Sequence, residues 1–364
     1  MKTIVSALFI GLFSFLASSQ SEDKYTLESY LINDKNLDKK VESVFQSLNE
    51  NSIIAQLIMP AAGRLGQHKD TIKSLLRDQL IGGILLLNGT KDQFTNWINE
   101  FESMNVTHQN LPFMYSADAE PSLVNRKIIG STPVVKANAI SSLLEVLKVA
   151  ETISNDLNEI GINYNFAPVV DMAKNKTVGY RGFGSNPGNI VPFSNAFIKK
   201  TQSKNIVATA KHFPGHGLIS GDTHKALQVI DGELKELKNY PPLIDSGVLS
   251  IMVAHIAVQN NSKFNTNGAP ATASRVIVND LLRDSLGFKG LIITDAMNMG
   301  GVIRYPNASV KAIDAGCDIL LMPNNARKAH REIKFEYTGN RVFKSRVDES
   351  VKRIIRMKIC LGLL

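Results

Sequence analysis

The segment Lys211-His212-Phe213-Pro214-Gly215-His216-Gly217-Leu218-Ile219-Ser220-Gly221-Asp222-Thr223-His224 gathers three of the chain's seven histidines with a lysine and an aspartate. Two chemistries use such a set. His212, His216, His224 and, further along, His255 would suit a divalent metal bound through imidazole nitrogens. Alternatively, Asp222 and His224 form an acid/base pair. Side chains two residues apart on an extended segment point the same way, and a carboxylate orients an imidazole and stabilises its protonated form. Residue chemistry leaves these readings close to even. Pro214, Gly215, Gly217 and Gly221 supply tight turns, so the segment is expected to fold back as a mobile loop that closes on a ligand. Asp295 is the second candidate, at the end of the apolar run Gly290-Leu291-Ile292-Ile293-Thr294. A carboxylate held there is rigid and partly desolvated, which suits a nucleophile toward an electrophilic sugar carbon, a metal ligand, or the N-cap of a following helix.

These residues need elements to position them. Short apolar runs recur at Gln56–Met59, Gly83–Leu87, Pro112–Ser116, Ile162–Val170, Ile206–Ala210, Ser250–Ala254, Gly290–Thr294 and Asp318–Met322. Amphipathic stretches separate them at Asp70–Gln79, Gln93–Met104, Ser141–Ile160, Ile190–Lys204, Val276–Leu286 and Ser309–Ala315. Ser141 and Asn189 read as N-caps, and Gly161 and Gly287 as C-terminal stops. Strands without a polar face, alternating with helices, indicate parallel βαβ units; eight of them predict an α/β fold built as a single (β/α)8 TIM-type barrel. A doubly wound open sheet is the competing fold, but Pro60-Ala61-Ala62-Gly63-Arg64 after the first run is not a glycine-rich phosphate loop. In a barrel, chemistry sits at the C-terminal ends of the strands. Those ends carry Asp118 and Glu120, Asp171, Lys211 and His212, His255, Asp295, and Met322-Pro323. For any single residue, a polar group leaving a strand for solvent explains as much; for the whole set it does not.

Composition narrows the classes further. The 44% hydrophobic content is too high for a disordered chain, and two cysteines, Cys317 and Cys360, exclude a cysteine-rich zinc site. A single bridge between them is allowed but not demanded. The balance of 41 Lys+Arg against 33 Asp+Glu gives a net charge of +8, yet the charges are scattered, so no nucleic-acid partner is expected. Met1-Lys2-Thr3, the apolar run Ile4–Leu16 and Ala17-Ser18-Ser19 read as a secretory signal peptide over residues 1–19, too short to span a bilayer. Residues 20–50 then form a polar lead-in and 51–364 the barrel, with secretion or export to a periplasm expected, no membrane span after cleavage, and a monomer.

The string KHFPGHG followed by Asp222-Thr223-His224, with ITDAMNMGG downstream, resembles family-three glycoside hydrolases, in the branch of β-N-acetylhexosaminidases. The resemblance runs from about Leu57 to the chain end. It includes Phe166-Ala167-Pro168-Val169-Val170-Asp171, Tyr180-Arg181-Gly182-Phe183-Gly184, Ala254-His255-Ile256 and Lys311-Ala312-Ile313-Asp314-Ala315-Gly316. It implies a retaining glycosidase acting on an oligosaccharide without metal or cofactor. Asp295 would be the nucleophile, His224 the acid/base residue and Asp222 its partner. Lys211 and His212 would hold the sugar's hydroxyls and acetamido region, Arg181 and His255 would be further substrate contacts, and Asp118 would grip the outer hydroxyls. Other branches, β-glucosidases and β-xylosidases, take the acid/base from a second domain, which this chain is expected to lack. Pro121 and Ser122 stand where the family shows glycines after Asp118. That departure motivates an alternative of another class, a catalytically weak sugar-binding protein on the same fold.

Overall fold

The structure, a computed structural model, describes residues 25–364. The signal peptide expected over residues 1–19 lies outside them. In chain order the strands are β1 Ile58–Met59, β2 Ala61–Ala62, β3 Gly83–Leu86, β4 Gly89–Thr90, β5 Met114–Ala117, β6 Ile128–Ile129, β7 Tyr164–Asn165, β8 Val207–Phe213, β9 Gln228–Asp231, β10 Ser250–Val253, β11 Ile256–Gln259, β12 Leu291–Thr294 and β13 Leu320–Leu321. Seven form one curled sheet in the order β12-β10-β8-β7-β5-β3-β2, and all its pairings are parallel. Neighbours in this sheet follow sequence order, so it lacks the strand-order reversal of a doubly wound sheet. β13 pairs with β1 in the register Ile58↔Leu320, and a parallel bridge joins Ile293 to Ile319.

Every residue of β3, β5, β7, β8, β10 and β12 is buried, which is why these strands read as unbroken apolar runs rather than alternating ones. Helices cover the outer face, among them Lys91–Thr107, Leu143–Ile160, Pro187–Gln202 and Arg341–Cys360, and one contiguous apolar core joins the two layers. Proline sets several strand limits. The first predicted run divides at Pro60 into β1 and β2, which pair with different neighbours. The long run Ile162–Val170 shrinks to β7 because Pro168 has no N–H for the ladder. Its carbonyl still accepts from Lys211 N at 3.2 Å, and Val170 N reaches Lys211 O at 2.8 Å. β8 runs three residues past its predicted end, so Lys211 and His212 belong to a strand.

Two caps move. The helix Leu143–Ile160 is capped by Ser142, whose hydroxyl accepts from Glu145 N at 3.2 Å, while Ser141 instead binds the Glu145 carboxylate. Asn186 rather than Asn189 caps Pro187–Gln202, since Pro187 is favoured at the first helical position. Gly161, with φ of +94°, ends its helix as predicted. The lead-in is not loose polar chain. Asp34 caps the helix Lys35–Gln46, and its Leu37, Val41 and Phe45 are buried. Arg356 on the last helix ties this region down by donating to Tyr30 O at 2.7 Å and Asp38 Oδ1 at 2.6 Å. Cys317 and Cys360 are both buried and unbridged.

Candidate active site

A cavity of about 400 Å³ opens at the C-terminal ends of the central strands, lined by Asp118, Arg181, Lys211, His212, His224 and Asp295 among others. Its wall is built around two carboxylates, the half-buried Asp118 and the buried Glu120. Lys211, at the end of β8 and 1% exposed, donates to Asp118 Oδ1 at 2.8 Å and Glu120 Oε1 at 2.6 Å. Arg181 grips Glu120 with both ends of its fork, Nε to Oε2 at 2.8 Å and Nη2 to Oε1 at 2.6 Å. Lys127 closes the other side of Asp118 at 2.6 Å. Burial opposes ionisation of Asp118 and Glu120, but the facing cations outweigh it: Lys127 and Lys211 hold Asp118 well below the usual range, and Arg181 and Lys211 hold Glu120 at about 2. The wall is therefore a fixed array of paired charges, ionised and held in place by one another.

Asp171, after β7, organises the next stretch. Its Oδ2 lies 2.6 Å from His212 Nδ1, and its Oδ1 accepts from His216 N at 2.8 Å. His212 is thus oriented with Nδ1 turned inward. His216 turns its Nε2 to Thr223 Oγ1 at 2.9 Å. His224 Nδ1 lies 2.8 Å from Asp222 Oδ1, which also accepts His224 N at 3.0 Å. Burial would raise the Asp222 acid, but its bonds to His224 outweigh that and lower it. The His224 side chain is 59% exposed, and with Nδ1 engaged its Nε2 is left for a ligand. The four imidazoles considered as metal ligands are directed to separate partners. Among the described residues no group of three or more His, Cys, Asp or Glu is arranged to hold a metal ion.

Asp295 follows β12. Burial would raise its acid, but His212, His255, the Ala296 N–H at 2.8 Å and His224 outweigh that and hold it below the ordinary aspartate range. Among the described residues no lysine or arginine pairs with it, so the carboxylate is ionised without a cation bound to it. His255 is placed behind the cavity rather than in its wall: it is fully buried between Thr272 Oγ1 at 2.9 Å and Ala296 O at 3.0 Å. The carbonyl can only accept, so Nε2 carries the proton and Nδ1 accepts from the Thr272 hydroxyl. Burial lowers the His255 pKa, and the ring's bond to Ala296 O fixes the backbone beside Asp295.

The segment bearing His224 is tethered. Asn175 Nδ2 donates to Ile219 O at 2.7 Å and Gly221 O at 3.0 Å. Gly300 N and Gly301 N, just past Asp295, donate to His224 O and Thr223 O, both at 3.0 Å. A Cβ on Gly300 would sit 2.2 Å from Lys225 O, and one on Gly221 1.7 Å from Gln228 Oε1. These glycines permit close approach, a physical reason for them other than the mobility expected from the sequence. Sequence reasoning had noted Glu120 and Asp171 at strand ends without giving them partners, and had passed over Lys127, Asn175 and Thr272. No periodic signal marks the latter three.

Together the curled parallel sheet and this cavity define an α/β scaffold with a polar small-molecule site at its strand ends. The chain belongs to glycosyl hydrolase family 3: residues 50–357 match the model of the family's N-terminal domain. Over 310 residues it is 28% identical to a β-N-acetylglucosaminidase/β-glucosidase of Cellulomonas fimi, covering 79% of this chain and 54% of the relative. It is 32% identical over 239 residues to β-hexosaminidase A of Pseudoalteromonas piscicida, covering 58% and 40%. The solved family-3 β-N-acetylglucosaminidase of Paenibacillus sp. str. FPU-7 superposes with a TM-score of 0.80 at 27% identity, over 87% of this chain and 63% of that one. The chain thus spans about half the length, or less, of these two curated relatives.

Proposed function

We propose that the protein is a retaining exo-β-N-acetylhexosaminidase that removes terminal β-linked N-acetylglucosamine from cell-wall or chitin-type saccharides. The observation that carries this reading is the shared cavity of an ionised, cation-free Asp295 and a His224 already oriented by Asp222. Asp295 attacks the anomeric carbon while His224 Nε2 gives its proton to the departing glycosidic oxygen, leaving a covalent glycosyl-enzyme. His224 then takes a proton from water, whose oxygen displaces Asp295. Retaining glycosidases usually place two carboxyl groups in these roles. An imidazole serves because its ordinary pKa, about 6.5, lies near working pH. Lys211, Arg181, His212 and Asp118 orient the hydroxyl and acetamido groups. Relatives carrying β-N-acetylglucosaminidase and β-hexosaminidase names support the substrate class.

The same reading takes the curled sheet and the β13–β1 pair as one (β/α)8 barrel over residues 51–364, supported by the Ile293–Ile319 bridge. It takes the enzyme as a secreted or periplasmic monomer, on the strength of the leader-like residues 1–19; among the described residues no helix is long and apolar enough to cross a membrane. The relative named for both activities gives β-glucosidase as the second reading. Release of 4-nitrophenol from its N-acetyl-β-glucosaminide, compared with its β-glucoside, separates the two. Activity surviving in Asp295→Asn would sink the nucleophile assignment.

A further inference from the structure

Glu236 lies outside the cavity lining, in the turn after β9, and its carboxyl is spent on backbone. Its Oε1 accepts from Met172 N at 2.6 Å and from Gly217 N at 3.2 Å, and its Oε2 accepts from Leu218 N at 3.1 Å. One side chain, 4% exposed, therefore joins the exit of β7 to the start of the segment that ends in Asp222 and His224. That reach depends on two missing side chains. A Cβ on Gly215 would lie 2.5 Å from Glu236 Cβ; one on Gly217 would lie 1.9 Å from Met172 O and 2.7 Å from Glu236 Oε1. The glycines of the His212–Gly217 stretch are the imprint of Glu236. Beyond Leu218 the chain is held by the Asn175 bonds, the His216–Thr223 contact and the Gly301 N–H to Thr223 O bond before it delivers His224.

We propose that Glu236 is a positioning residue for the general acid: it fixes the root of the His224 segment and acts on proton transfer without touching the sugar. A carboxylate is required rather than a group of the same shape. An amide at this position offers one accepting oxygen, so its NH2 must face either Leu218 N–H or the Met172 and Gly217 N–H pair, donor against donor. Burial and the neighbouring Asp171 raise the Glu236 acid, while the three N–H groups favour the carboxylate, the form in which both oxygens accept.

The inference rests on the proposed function, and a series of aryl N-acetyl-β-glucosaminides graded by leaving-group acidity tests both. Good leaving groups need little proton donation; poor ones depend on it. Glu236→Gln is expected to lose about tenfold more kcat on the poorest leaving group than on the best, in the same sense as His224→Ala, with inhibition by free N-acetylglucosamine unchanged. Glu236→Asp, which keeps the charge but shortens the reach, is expected to fall between wild type and Glu236→Gln, and it answers the question if the amide fails to fold. A steep series for His224→Ala with equal losses across the series for the Glu236 variants overturns the inference alone. A flat series for His224→Ala overturns the acid assignment, and the inference with it.

Discussion

Glu120→Gln removes one charge from the buried centre of a cluster of three cations and two anions, Lys211, Arg181 and Lys127 with Asp118 and Glu120, leaving two cations without a counter-charge. The wild-type acid is held at about 2 against an ordinary 4.5. At about 1.4 kcal/mol per pKa unit this gap gives roughly 3 kcal/mol of stability from ionised Glu120. Breaking a buried pair by removing one partner costs about the same, ~3–5 kcal/mol. With unfolding entropy of about 2.1 cal/mol/K per residue over residues 25–364, Tm at pH 7 is expected to fall by about 4–5 °C. The sign follows from linkage. The folded pKa is depressed, so the contribution is complete above about pH 4.5 and disappears as pH falls toward about 2. Urea unfolding of wild type and variant at pH 7, 4 and 3 reads the difference directly. It is expected to shrink steadily with acidity. A variant within about 0.5 kcal/mol of wild type at pH 7, or a gap that does not change with pH, would refute the claim that this carboxylate is held by its cations.

Lys358 gives a prediction in another pH window: burial pulls its ammonium down to about 7, with Nζ donating to Gln56 Oε1 at 2.6 Å and Gly82 O at 3.0 Å. Between about pH 7 and 10.5 the unfolded chain holds a proton the folded one lacks, so wild-type stability relative to Lys358→Met should rise across that window by about 5 kcal/mol; chemical unfolding that shows a flat difference counts against it. Gly300→Ala puts a methyl against the backbone of Lys225 and His224, which no rotamer can relieve, and turnover should fall about tenfold or more with little change in product inhibition; unchanged turnover removes the close approach from the mechanism.

Asp118, Lys211, His212 and Asp295 were legible in the sequence because they stand at or just past the ends of apolar runs, where a barrel puts chemistry; Asp222 and His224 stood out by their spacing in the loop after β8. That rule marked Asp295 and Lys211 as candidates, and the family resemblance supplied the roles expected of them. The partners that tune them were not legible: Glu120 meets Arg181 across 61 residues, and Glu236 meets Met172 across 64. Periodicity reports burial, not which distant group a buried carboxylate finds. The lead-in helix was readable and overlooked, since Leu37, Val41 and Phe45 recur at helical spacing behind the Asp34 cap. Among the strands, the ribbon of β9 and β11 went unpredicted; it stands apart from the main sheet, and Gln228–Asp231 shows the alternating burial of a one-sided strand.

The bonds from Gly300 N and Gly301 N to His224 O and Thr223 O join the two catalytic segments main chain to main chain. No side chain on either segment takes part in these bonds, so the spacing between positions 224 and 295 is set here by backbone and not by the groups those positions carry. On the proposed function, exchanging either group is expected to alter the reaction while these two bonds keep the frame, which makes this pair of loops a chassis for redesign: a small inert residue at 295, or a carboxylic acid at 224, is expected to inherit the backbone separation.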